Sequence, residues 1–152
     1  MKSKKLNYKV AVIMGSQSDY PVMKDCEKIF KILKIKYQVL IVSAHRTPKR
    51  MFRFAESAEK NGFGVVVCGA GGAAHLAGMV ASLTTLPVIG VPIESKKLKG
   101  LDSLLSVNQM PKGVVVATVA INGAFNAGLL AASIIGNFDE KVKSNLGFFL
   151  MD

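Results

Sequence analysis

The sequence predicts an open α/β fold built on a parallel sheet, and three observations predict it. Five short runs rich in valine and isoleucine are nearly continuous in apolar character, as strands covered on both faces are. Amphipathic stretches with helical spacing lie between most of them. The two patterns take turns along the chain, and that alternation calls for right-handed crossovers between parallel strands.

The first run, residues 8–14, is a strand, and Gly15 lets the backbone turn tightly after it. Helical spacing then brings Val22, Cys26, Ile29, Phe30 and Leu33 to one face, with lysines opposite. A second strand covers 37–42. The helix over 48–60 starts at Thr47-Pro48 and gathers Met51, Phe52, Ala55 and Ala58 on one side. Strand 65–68 leads into a turn of glycines and alanines, and a third helix covers about 73–83. Strands over 88–91 and 114–120 complete a sheet of five. The helix over 123–135 is apolar nearly all round, so deep burial or a subunit contact is expected of it. The segment 138–152 ends in the apolar run 146–151, which should dock on its own core or a neighbour's. Residues 1–7 should form a loose tail. No repeat, low-complexity tract or linker interrupts the chain, and 1–152 reads as a single domain.

Composition narrows the function. At 50% hydrophobic and 20% charged, the chain has ample material for a core and is not a disordered one. Two cysteines exclude a disulfide framework and a thiolate zinc cluster. Both lie in apolar stretches, as small buried hydrophobes of a reducing compartment do. The run VAVIM is too short to span a membrane and carries no signal-peptide cleavage site, so a cytoplasmic protein is expected. The net charge of +10 admits nucleic acid, an acidic membrane or small phosphorylated ligands. Yet the few aromatics do not interleave with the clusters Lys2, Lys4, Lys5, Lys9 and Lys96, Lys97, Lys99. A single-strand binder wants stacking platforms beside its cations. Most of these lysines read as solvated surface, with neither nucleic acid nor membrane as partner.

Ligands of open α/β sheets sit beyond the carboxyl ends of the strands. Three turns there have unusual composition. In the first, Ser16, Ser18 and Asp19 precede Pro21, so free N–H groups and hydroxyls offer a phosphate seat. Such a turn by itself is more often only a well-made helix cap. In the second, Ser43, His45 and Arg46 precede Thr47-Pro48. Arginine can bind a phosphate through two bonds, and an imidazole can both give and take a proton near neutral pH. The third, residues 69–78, is rich in glycine and alanine and leaves room for a flat ligand. It spells neither a dinucleotide fingerprint nor a lysine-bearing phosphate loop. The chain has only two histidines, His45 and His75, and each belongs to one of these turns. So few ligand-type residues argue against a catalytic metal site.

Six blocks resemble one enzyme family in order and spacing: GSQSD at 15–19, SAHRTP at 43–48, GAGGAAHLAGM at 69–79, LPVIGVP at 86–92, LDSLLSVNQMP at 101–111 and VATVAINGAFNAGLLAA at 116–132. The family is that of N5-carboxyaminoimidazole ribonucleotide mutase, also called the catalytic subunit of phosphoribosylaminoimidazole carboxylase. The resemblance implies a flavodoxin-like three-layer αβα sandwich, a homo-octamer, no cofactor and no metal. It implies a carboxylate moved from the exocyclic nitrogen of an aminoimidazole ribonucleotide to ring carbon C4. By position, Ser16, Ser18, Asp19, Ser43 and Arg46 would hold ribose and phosphate, and His45 would transfer the proton. Gly71, Ala73, Ala74 and His75 would line the pocket for the base and the migrating carboxylate. Asp19, as a capped and exposed carboxylate, is expected to stay ionised. The Gly-Ala turn is expected to supply backbone N–H donors, and the loop with Lys96, Lys97 and Lys99 to close over the anionic substrate. The chain departs from the family pattern at Ala77, Asn108 and Val115, where proline, a hydrophobic residue and proline are expected.

Other readings make different demands. A related carboxylase uses free carbon dioxide, and its branch has lysine where this chain has Arg46. A flavodoxin-like module without catalysis would want aromatics flanking a flavin, and none of the three turns offers a pair.

Overall fold

The computed structural model describes residues 7–152, so all but Asn7 of the expected N-terminal tail lies outside the described residues. Five parallel strands form one sheet: β1 (Lys9–Met14), β2 (Tyr37–Ile41), β3 (Phe63–Gly71), β4 (Val88–Ile93) and β5 (Ala117–Thr118). Their order is β2-β1-β3-β4-β5. In register, Val12 stands between Val39 and Val67, and Ile89 between Val67 and Ala117. The flavodoxin-like αβα sandwich is thus present, and the chain reverses its direction of winding between β1 and β3.

The near-continuous apolar runs have a simple cause. Successive side chains point to opposite faces, and both faces are covered. Val10, Val12, Met14, Val65 and Val67 meet α1 (Tyr20–Leu33), α5 (Ala124–Gly136) and the start of α6 (Glu140–Met151). Ala11, Ile13, Val66 and Cys68 meet α2 (Pro48–Ser57), α3 (Leu76–Ala81) and α4 (Leu101–Asn108). Fully burying one such branched side chain contributes about 1.5–3 kcal/mol, so the central strands anchor both layers.

Several expectations change in the fold. The fifth strand shrinks from 114–120 to two residues at the sheet's edge, and Val115 is exposed. Only Ala117 and Thr118 keep register with Ile89 and Gly90. The strand over 37–42 is an edge strand, only half buried. Phe52 lies off the inner face of α2, which Met51 and Ala55 fill. Residues 73–75 form a turn, so α3 starts three residues later than periodicity suggests. Two helices escaped periodicity altogether. In α4 only Ser103 and Val107 are buried, and a serine does not register as an apolar position. Gly90 makes room for that helix, since a Cβ there would stand 2.3 Å from Val107 Cγ1. The C-terminal segment is helical: Asp139 caps α6, Val142 is buried, and Asn145 donates to Leu33 O at 3.0 Å. Among the described residues, no helix is long and apolar enough to cross a membrane.

Candidate active site

The loops after β1, β2 and β3 converge beyond the carboxyl edge of the sheet. With Ile93 at the end of β4 and residues 94–96 after it, they form a cleft of about 380 Å³. Nine of the ten residues expected at the site line it: Ser16, Ser18, Asp19, Ser43, His45, Arg46, Gly71, Ala73 and His75. Ala74, expected to face the ligand, is instead fully buried beneath the cleft. A cavity of about 450 Å³ at the opposite edge holds neither a histidine nor an arginine. The helix N-terminus there is already capped by Asp139, so the smaller cleft is the chemically equipped one.

The first loop is built by a capping box on a single 3-10 turn, Gln17–Asp19. Ser16 Oγ accepts from Ser18 N–H at 3.3 Å and from the Ser18 hydroxyl at 2.9 Å, while Ser16 N–H donates to Asp19 Oδ2 at 3.1 Å. The cap is therefore Ser16, and α1 follows at once with Pro21 in its first turn. Asp19 corrects a sequence expectation. It is half buried, and burial pushes its carboxyl above the ordinary value of 3.8. The Ser16 N–H and the Arg46 charge pull the other way without cancelling that effect.

The second loop is closed on itself. Thr47 Oγ1 donates to Ser43 O at 3.1 Å and accepts from Ser43 N–H at 3.2 Å, and Arg46 N–H donates to Ser43 Oγ at 3.2 Å. This frame leaves the His45 and Arg46 side chains exposed toward the cleft. His45 Nε2 lies 2.8 Å from His75 Nδ1, with the rings edge to face. A hydrogen bond at that distance needs one of the two nitrogens to donate and the other to accept, so the tautomers of the two rings are coupled.

The third loop departs from expectation in its hydrogen bonding. Gly72, at φ +68°, makes the turn after β3. Its N–H donates to Ser103 Oγ at 2.8 Å, and Ala74 N–H donates to Ser106 Oγ at 3.0 Å. These two donors are spent on α4 and are not offered to a ligand. Sequence reasoning gave Ser103 and Ser106 no role, although their three-residue spacing puts them on one helical face. It also passed over Glu94 and Ser95. Glu94 lines the cleft and accepts from Asn122 Nδ2 at 3.4 Å. Of the loop lysines, Lys96 lines the cleft and Lys97 and Lys99 do not. Asn108 and Val115, two of the departures from the family pattern, are exposed, whereas Ala77 is buried in α3. Among the described residues, no group of three His, Cys, Asp or Glu side chains could hold a metal ion.

Fold and cleft together define a flavodoxin-like α/β protein with its equipped cleft over the β1/β3 switch point, where folds of this class bind their ligands. The family model for AIR carboxylase matches residues 9–149, and the chain belongs to that family. It is 62% identical over 128 residues to an N5-carboxyaminoimidazole ribonucleotide mutase of Thermotoga maritima, covering 84% of this chain and 75% of the relative. It is 51% identical over 148 residues to the protein of the same name from Escherichia coli K12, covering 96% and 88%. The crystal structure of Treponema denticola PurE superposes with a TM-score of 0.85 at 27% identity, covering 93% of this chain and 89% of that one.

Proposed function

We propose that the protein converts N5-carboxyaminoimidazole ribonucleotide to 4-carboxyaminoimidazole ribonucleotide in purine biosynthesis. The observation that carries the reading is the meeting, in one cleft, of a phosphate-suited loop with an exposed histidine pair. Ser16, Ser18 and Arg46 take the phosphate, and Asp19 and Ser43 the ribose. The heterocycle then lies against Gly71, Ala73 and His75.

The carbamate nitrogen must be protonated before its bond to the carboxyl carbon breaks and carbon dioxide leaves. Ring carbon C4 then attacks the trapped carbon dioxide, forming the new carbon–carbon bond. The proton on C4 must come off last. One imidazole serves both transfers, because the proton it gives to nitrogen is replaced by the one it takes from C4. His45 is assigned this role, leaving His75 to reach the ligand. Retention of carbon dioxide beside its acceptor makes recapture effectively unimolecular. The electrons of the new bond come from the substrate's own ring, so the reaction as written uses no cofactor.

An assembly of eight copies suits the exposed apolar side chains of a single protomer, among them Leu101 and Leu105 of α4 and Phe148, Leu150 and Met151 of α6. Supply of the carbamate falls to a separate ATP-dependent carboxylating synthetase, in the same cytoplasmic compartment. The deciding experiment incubates synthetic carbamate nucleotide with the protein and follows ultraviolet absorbance. Conversion without added bicarbonate is expected. Conversion only of the uncarboxylated nucleotide, and only with bicarbonate, would assign the chain to the carboxylase reaction instead.

A further inference from the structure

The turn that faces the heterocycle is not self-supporting. It leaves β3 through Gly72 at φ +68°, and glycine visits left- and right-handed conformations about equally, so contacts from outside the turn must hold it to one. The contacts here come from two serines one helical turn apart on α4. Ser103 is the one fully buried polar side chain among the described residues. Its oxygen accepts from Gly72 N–H at 2.8 Å, and its proton goes to Ile93 O at 2.6 Å. Ser106 Oγ accepts from Ala74 N–H at 3.0 Å and donates back along its helix to Asp102 O at 2.7 Å. A hydroxyl has one proton, so neither serine keeps a donor for a ligand. Both hydroxyls act as bridges between α4 and the turn.

That bracing acts on one half of the cleft. His75 follows Ala74 directly, its N–H bonds to Ala73 O at 2.9 Å, and its ring meets His45. Ser16 and Ser18 stand on the loop after β1, and Arg46 on the loop after β2. The side-chain hydrogen bonds of Ser16, Asp19, Ser43 and Thr47 stay within those loops. The loop stems are tied to the sheet, by Gly15 N–H to Gly69 O at 3.4 Å and Val42 N–H to Met14 O at 2.8 Å, rather than to the serines of α4.

We propose that Ser103 and Ser106 are positioning residues for the reaction, holding the turn 71–75 so that Ala73 and His75 meet the heterocycle in register with His45. This rests on the mutase reading above. Loss of a hydroxyl leaves a buried N–H without a partner, and the turn relaxes. A misplacement of about 1 Å can cost about a hundredfold in rate, while an undisturbed phosphate seat keeps its affinity.

The test compares wild type, Ser103→Ala, Ser106→Ala and Ser106→Thr. Steady-state kcat and KM are measured on the carbamate nucleotide, and the Kd of ribose 5-phosphate by calorimetry. Both alanine variants should lose about 10- to 100-fold in kcat, with the ribose 5-phosphate Kd within about twofold of wild type. Ser106→Thr should recover most of the rate, since a helical threonine can direct Oγ1 to the same i−4 carbonyl. Wild-type kcat in the alanine variants overturns the positioning role. So does a ribose 5-phosphate affinity that falls in step with kcat, the mark of general loosening, or a threonine that restores nothing. If Ser103→Ala fails to fold, the half-buried Ser106 pair decides alone. A wild type that turns over no carbamate nucleotide overturns the substrate assignment, and the positioning role falls with it.

Discussion

Arg46→Ala tests the phosphate assignment and the electrostatics of the cleft together. The guanidinium is exposed, lines the cleft beside Ser16 and Ser18, and acts through its charge on Asp19. A hydrogen bond to a charged group contributes about 1.5–3 kcal/mol. An exposed site shares that gain with water, so the whole contact is put at about 1.5–3 kcal/mol rather than twice that. The change corresponds to a rise in KM of about 10- to 150-fold, with kcat within about threefold of wild type. A second effect carries a definite sign. Burial already raises the Asp19 pKa, and Arg46 opposes that rise. Without the guanidinium the pKa climbs further, and Asp19 protonates at a higher pH. The increase of KM on the acid side should then begin at higher pH in the variant. Steady-state absorbance assays from pH 5 to pH 8 give both quantities. An unchanged KM would remove Arg46 from the phosphate. An acid limb that stays in place or moves downward would remove the coupling to Asp19.

His45→Asn should cut turnover by orders of magnitude while ribose 5-phosphate still binds; near-normal turnover would take the proton transfer away from His45. Neutralising Lys96, Lys97 and Lys99 together should raise KM about two- to tenfold at low salt and less at high salt. Lys96→Ala alone should give most of that effect, since of the three only Lys96 lines the cleft, and a salt-independent KM equal to wild type would leave the loop as mere surface. Burial pushes the Cys26 thiol up to about 12 and raises Cys68 as well. At pH 8 about one Cys26 in ten thousand is thiolate, so Ellman's reagent should find no reactive thiol until denaturant is added. Release of a thiol within minutes under native conditions would show that one cysteine is not buried.

Much of the fold was legible because the physical signals are local. A strand covered on both faces must be apolar along its covered length, and β1 beyond Lys9, β3 and β4 are. The helix α1 repeats its buried residues at 3.6-residue spacing. The signal failed where burial did not use apolar side chains, as in α4, or where pairing was brief, as in β5. The site followed the same division. Turn chemistry after β1 and β2 marked Ser16, Asp19, His45 and Arg46, because caps and prolines stand next to the residues they orient. The exposure of Asp19 was misread because its neighbours in sequence do not reveal that the folded chain half buries it.

The order of residues by itself determined the parallel α/β class, the three ligand-facing turns and the chemical groups on them, since each depends on contacts a few positions apart. Only the folded chain decided that His45 and His75, thirty residues apart, meet with their ring nitrogens 2.8 Å apart. It also decided that Gly72 and Ala74 give their N–H groups to serines on α4, 31 and 32 residues away, rather than to a ligand. The physical reason is that a buried N–H takes whatever acceptor the packing brings within about 3 Å, and packing joins elements whose sequences carry no mark of one another.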